Sequence, residues 1–216
     1  MARRIKEEPG IHRNRIAMAA GELFESKGID STTMNEIAKK AGYSKATLYV
    51  YFQNKEEIVG YLVLHSMNKL KEYLASVLVS EKDFKGKYLD ICRAMVLYEE
   101  EYPFYFSMVL DHINIDFEHS LCEESERETF RVGEEINALL ISFFTCGIEK
   151  GAFKNQLDIK SVIFSIWGML SGFIQLAANK QEYIAQEMHM TKEEFLERGF
   201  LFLYAAIEKK EKNGDR

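Results

Sequence analysis

A chain of 216 residues with 47% hydrophobic residues and only two prolines belongs among globular proteins and can bury a sizeable core. The formal charge of −6 is uneven: residues 1–60 hold ten Lys/Arg against eight Asp/Glu and the remainder 18 against 26, a mild asymmetry that favours a basic N-terminal face. Cys92, Cys122 and Cys146 are widely spaced with no CxxC, which argues against a disulfide framework and for a reducing, cytoplasmic setting. Arg3 and Arg4 are followed by no apolar run, so no signal peptide is expected.

In chain order, Ile16, Ala20, Leu23 and Phe24 recur at helical spacing and predict a helix over about 12–27, with Gly28 placed as a left-handed C-cap. Thr33 and Glu36 form a capping-box pattern ahead of a short helix over 34–41. Ser44 caps a third helix over 45–51. Asn54 with Glu57 repeats the box and starts a long helix through about Val79. Later helices are predicted over roughly 85–101, 103–112, 124–150, 158–180 and 191–210, with Gly86, Pro103, Gly151 and Thr191 near their ends. Strand-like alternation is absent. The fold class is all-α.

Residues 161–179 carry no formal charge and include Gly168-x-x-x-Gly172, so the segment imitates a membrane span. Ser161, Ser165, Ser171, Gln175 and Asn179 interrupt it. The expectation is a helix buried on most sides whose small residues admit another helix closely.

Only Gly42, Tyr43 and Ser44 separate the second and third helices, a connection that forces them to cross steeply as in a helix-turn-helix. Ala38 and Ala41 let the axes approach, and Leu48 fills the angle. A third helix of barely two turns is not stable alone, so the first must hold it from behind and leave its outer face free. That face is expected to hold Lys45, Thr47, Tyr49 and Tyr51 and has no acid. The pattern suits a polyanion, with one cation, hydroxyls that donate to phosphate oxygens, and side chains able to touch base edges. The N–H groups opened by Ser44 point at phosphate too. Lys55, in the first turn of the next helix, is badly placed for the helix dipole, and a phosphate there would explain its charge. The competing reading makes Tyr49, Tyr51 and Phe52 core packing and the lysines solvated.

From Ile16 to Ile58 the chain resembles the TetR family of bacterial transcriptional regulators. The resemblance rests on Ala20-Gly21-Glu22-Leu23-Phe24, the Gly28 turn, Thr32 to Ala38, Ala41-Gly42-Tyr43-Ser44, Thr47 to Phe52 and Asn54-Lys55. Val50 stands where many relatives carry another tyrosine and Tyr51 where many carry histidine; both departures concern operator preference. The resemblance implies a phosphate contact by Tyr49, major-groove contacts by Lys45 and Thr47, and a backbone contact by Lys55, with Thr33, Ser44, Ala46 and Tyr51 completing the DNA-binding set. It implies a DNA-binding domain over 1–55 and a helical ligand-binding and dimerisation domain over 56–216. The expected protein is a homodimeric, cytoplasmic repressor on a near-palindromic operator, released by a small effector, with no resident cofactor and no membrane partner.

The uncharged helix 158–180 and an amphipathic one carrying Phe195, Leu196, Phe200, Leu203, Tyr204 and Ile207 suit the dimer pairing the resemblance implies. An effector chamber would draw on Tyr98, Tyr102, Phe104, Tyr105, Met108, Phe143, Phe144, Trp167 and Met169, a lining that favours an apolar or aromatic ligand. The same residues are ordinary core filling. His112, Asp116 and His119 lie at i, i+4 and i+7, a spacing that in an unbroken helix could hold Zn²⁺ or Ni²⁺, so a metal-responsive regulator is an alternative. A helical metal-dependent enzyme is weaker. Asp116-x-x-His119 falls short of the two Glu-x-x-His pairs a di-iron bundle needs, and no P-loop, GxSxG or HExxH occurs.

Overall fold

The computed structural model describes residues 8–111 and 124–210. His112, Asp116 and His119 therefore lie outside the described residues. Within them the chain forms ten helices, α1 (Pro9–Lys27), α2 (Met34–Ala41), α3 (Lys45–Tyr51), α4 (Lys55–Leu78), α5 (Phe84–Glu101), α6 (Pro103–Asp111), α7 (Glu124–Glu149), α8 (Ile159–Asn179), α9 (Gln181–Glu187) and α10 (Lys192–Ile207). The fold is all-α. One isolated antiparallel bridge, Phe153 with Glu208, is the sole β-type pairing among the described residues. Two compact units share α4. Of the described residues, one comprises 8–68, 104–111 and 124–130, the other 69–103 and 131–210.

The first unit closes around Ile16, Ala20, Phe24, Ile37, Leu48, Phe52, Ile58, Leu62 and Met108, all buried in one cluster. Pro9 occupies the first turn of α1, where its missing N–H costs nothing. Gly28 ends that helix at φ 86° and ψ 156°, a positive φ outside the left-handed helical region, with its N–H donating to the Phe24 carbonyl at 2.8 Å. The left-handed cap is found at Gly42 instead, at φ 76° and ψ 25°. There Tyr43 N–H reaches back to the Ala38 carbonyl at 2.9 Å, the long bond of a Schellman turn. The Thr33–Glu36 box is reciprocal. At the start of α4, Asn54 Oδ1 accepts from Glu57 N–H at 2.7 Å, but the Glu57 carboxylate accepts from Gln53 N–H, also at 2.7 Å, and not from Asn54.

The second unit is centred on Phe153, fully buried, whose ring lies 5.7, 5.5 and 5.2 Å from those of Phe84, Phe143 and Phe144. Gly147 admits it, since a Cβ there would overlap the Phe153 ring. Gly199 on α10 likewise admits the Phe173 ring of α8. Arg93 to Glu197 at 2.7 Å and Lys192 to Glu100 at 2.8 Å tie α5 to α10 at the surface. Gly199→Ala is expected to destabilise the unit by about 1–3 kcal/mol through overpacking. The better helix propensity of alanine returns at most about 1 kcal/mol, so the overlap decides the sign. A thermal melt reads it, and an unchanged or raised Tm would show that Phe173 yields freely.

α8 differs from its expectation. Only 28% of its most apolar 18-residue window is buried, although its length and composition pass for a membrane span. Ile163, Leu170, Ile174 and Ala177 face inward, while Phe164, Met169 and Leu176 are exposed. Among the described residues, nothing beyond the helix's own neighbouring backbone lies within 4 Å of a Cβ built at Gly168 or Gly172. Hydrophobicity on every side made the helix look buried on most sides, but an apolar residue need not be covered within its own chain.

Candidate nucleic-acid interface and effector cavity

α3 is pinned by one face. Leu48 and Phe52 are fully buried, and burial of Leu48 contributes roughly 1.5–3 kcal/mol. The Ser44 hydroxyl caps the helix, accepting from Thr47 N–H at 3.1 Å and lying 2.8 Å from Thr47 Oγ1. On the opposite side Lys45, Ala46, Tyr49 and Val50 are exposed, Tyr49 at 38% and Val50 at 74%. Lys45 Nζ sits 5.9 Å from the centre of the Tyr49 ring. No acid occurs along Lys45–Tyr51. A short helix with an acid-free outer face and an open N-terminal turn can receive a phosphate and present side chains to base edges.

Three members of the sequence-derived set sit otherwise than expected. Tyr51 turns back toward α1 and packs on the core cluster, its ring 5.3 Å from that of His12, so it leaves the outer face of α3. The Thr33 hydroxyl is committed to its capping box, donating to Glu36 Oε2 at 2.7 Å. Lys27 and then Thr33 hold the Glu36 carboxyl down at about 2, so that acceptor stays ionised. Lys55 Nζ meets the carbonyls of Ile29 at 2.7 Å, Thr32 at 3.3 Å and Asp30 at 3.4 Å. An ammonium has three donors, and three loop carbonyls take them. The cation at the start of α4 is accounted for inside the chain, without a phosphate.

Sequence reasoning missed the residues that aim α3. Tyr43 Oη lies 2.7 Å from His12 Nδ1 and accepts from Arg15 at 3.0 Å. Arg13 donates to the Tyr51 carbonyl at 2.9 Å and to Glu57 at 3.0 Å. Basic residues one helical turn before the core stripe of α1 were the available signal.

The second unit contains an apolar cavity of about 30 Å³ lined by Leu74, Tyr88, Ile91, Met95, Leu140, Phe144, Ile163, Ile166, Trp167 and Leu170. Burial pushes the Tyr88 phenol up from its ordinary value, so the wall is uncharged at any physiological pH. Of the expected lining, Phe144 and Trp167 are present. Phe143 packs in the Phe153 cluster, and Tyr98 is fully buried between Tyr73 and Tyr102. Tyr105 and Met108 belong to the first unit, with Met108 in its core, and Met169 is exposed. Aromatic and methionine content marked core and cavity alike, while the aliphatic residues of α5 and α8 that wall the cavity carried no distinguishing pattern. Among the described residues no group of three His, Cys, Asp or Glu is arranged to hold a metal ion.

A three-helix head with an outward, acid-free second helix of a helix-turn-helix, joined to a helical unit with an apolar cavity, defines a DNA-binding transcriptional regulator. Residues 16–62 match the bacterial regulatory proteins of the tetR family, and the chain is a TetR family transcriptional regulator, not an enzyme. It is 26% identical over 184 residues to the probable HTH-type transcriptional regulator ArpR of Pseudomonas putida, covering 81% of this chain and 83% of that one. It is 26% identical over 176 residues to the fatty acid metabolism regulator protein of Bacillus subtilis, covering 78% and 84%. The fold is similar to that of the transcriptional regulator FadR from Bacillus subtilis in complex with stearoyl-CoA, with a TM-score of 0.68 and 18% identity over 90% of this chain and 99% of that one.

Proposed function

We propose that the protein is a cytoplasmic, homodimeric repressor that leaves a near-palindromic operator when a small, largely apolar effector binds its C-terminal half. Operator reading falls to residues 1–55, and effector binding and dimerisation to 56–216. The observation that carries the reading is the exposed outer face of α3, with Lys45 and Tyr49 side by side and no acid anywhere along the helix. Lys45, Ala46 and Thr47 meet the major groove and Tyr49 a phosphate, while Ser44, Thr33, Tyr51 and Lys55 hold the reading helix and its neighbours in place. The uncharged cavity at Phe144 and Trp167 supports an effector with a hydrocarbon or aromatic body. The stearoyl-CoA held by the Bacillus subtilis regulator makes a long acyl thioester the first probe to try.

Selection of duplexes from a random pool tests the reading. A near-palindrome should emerge, with half-sites about 34–36 Å apart or a near multiple. Lys45→Ala should relax base preference at one or two positions, where a mismatch ordinarily costs about 1–3 kcal/mol. Tyr49→Phe should weaken all sequences alike, because a phosphate contact carries no base identity. If both variants bind as the wild type does, or if no specific duplex is selected, α3 is not the reader.

A further inference from the structure

We propose that Arg13 is a positioning residue for operator reading, acting on DNA through the ends of α3 and α4 and not by contact with phosphate. The proposal rests on the reading role given to α3 above. α3 has seven residues and ends on Phe52 in extended backbone, with no glycine to turn back onto its last carbonyls. The carbonyls of such an end need outside donors, and a cation there complements the negative end of the helix dipole. Arg13 supplies both. Its Nη1 donates to the carbonyl of Tyr51, the last residue of α3, at 2.9 Å. Its Nη2 donates to Glu57 Oε1 at 3.0 Å, and Glu57 Oε2 accepts from Gln53 N–H at 2.7 Å. The guanidinium also lies 4.4 Å from the centre of the fully buried Phe52 ring. One side chain of α1 thus fixes the last carbonyl of α3, the turn after it and the first turn of α4. A helix too short to persist alone takes its direction from such ties.

The two roles predict opposite signs at Glu57. If Arg13 were a phosphate ligand, Glu57 would compete with DNA for it, and Glu57→Gln would leave operator binding as tight or make it tighter. If Arg13 positions α3 through Glu57, the same change weakens specific binding. The experiment titrates the full chain with the duplex it selects from a random pool and with a scrambled duplex, across a range of salt. Glu57→Gln and Arg13→Lys are each expected to lower operator affinity about tenfold, the scale of one charge-assisted hydrogen bond. The scrambled duplex should be bound nearly as before, the salt slope should be unchanged, and the double variant should lose little more than either single one. The Lys45→Ala variant is the control, and it should relax base preference at one or two positions, as a groove contact does. Failure of that control counts against the α3 reading and leaves the Arg13 result legible by the sign of Glu57→Gln. Unchanged or tighter binding by Glu57→Gln, or a loss that tracks only the unfolded fraction in a melt, would each overturn the proposal.

Discussion

Phe202→Glu is expected to yield a folded chain that sediments as a monomer and binds its operator about 10²–10⁴-fold more weakly than wild type, the avidity that linking two modules supplies. Phe202 is 79% exposed on α10 and Phe164 66% exposed on α8, with Leu201, Met169 and Leu176 also open. These side chains lie on two helices that pack together within the second unit and leave the Gly168–Gly172 notch uncovered. Aromatic residues at the centre of an interface typically cost about 2 kcal/mol or more when truncated, and a carboxylate in their place must also be desolvated. Phe164→Glu should act the same way. Val79 is equally apolar and 83% exposed, but it lies beyond the end of α4, away from these helices in sequence. Val79→Glu should leave both sedimentation and operator affinity unchanged. A dimeric Phe202→Glu with full affinity would remove α8 and α10 from the interface.

The local part of this architecture was legible before any coordinates. Thr33 with Glu36, and Ser44 ahead of Lys45, marked two helix starts, because a cap and its target lie within four residues of each other. α9 escaped because its N-cap is Lys180, which makes no side-chain capping bond and so leaves no mark in the sequence. What was illegible has partners far along the chain. Lys55 finds its carbonyls 23–26 residues upstream, and Arg13 finds Glu57 44 residues downstream. No periodicity encodes such pairs, so Lys55 read as a phosphate ligand and Arg13 went unremarked. Composition also fails to say what covers a face. The apolar run of α8 was visible, but not which of its residues turn inward. The cavity was half legible for a related reason: Phe144 and Trp167 stand out as large aromatics, whereas Ile91, Leu140 and Ile163 resemble core residues anywhere.

The effector response is the second large effect expected. Saturation with a long acyl thioester such as stearoyl-CoA should lower operator affinity about 5–150-fold, the range that a coupling of roughly 1–3 kcal/mol produces. The described cavity, about 30 Å³, has room for a water molecule or a few and not for a long hydrocarbon body. A ligand with a long hydrocarbon body must therefore bind a conformation in which the walls at Trp167, Phe144 and Leu74 have parted. Leu74 lies on α4, and the same unbroken helix begins with Lys55 and Glu57, the residues tied to the α1–α2 loop and to Arg13. In the dimer proposed above, a shift of α4 at Leu74 is expected to reach those ties, and two heads held to one duplex could not both follow it. The ligand must favour the parted state, since equal affinity for both states shifts nothing however tightly it binds. Trp167→Ala and Phe144→Ala should blunt the effector response more than operator binding in its absence. Truncating the buried Phe144 also costs about 3–5 kcal/mol of stability, and truncating the half-buried Trp167 less, so each titration is paired with a melt. Operator titration with and without ligand, in wild type and in each variant, decides the matter. Tight binding of the thioester to a chain whose operator affinity does not move would exclude it as the effector.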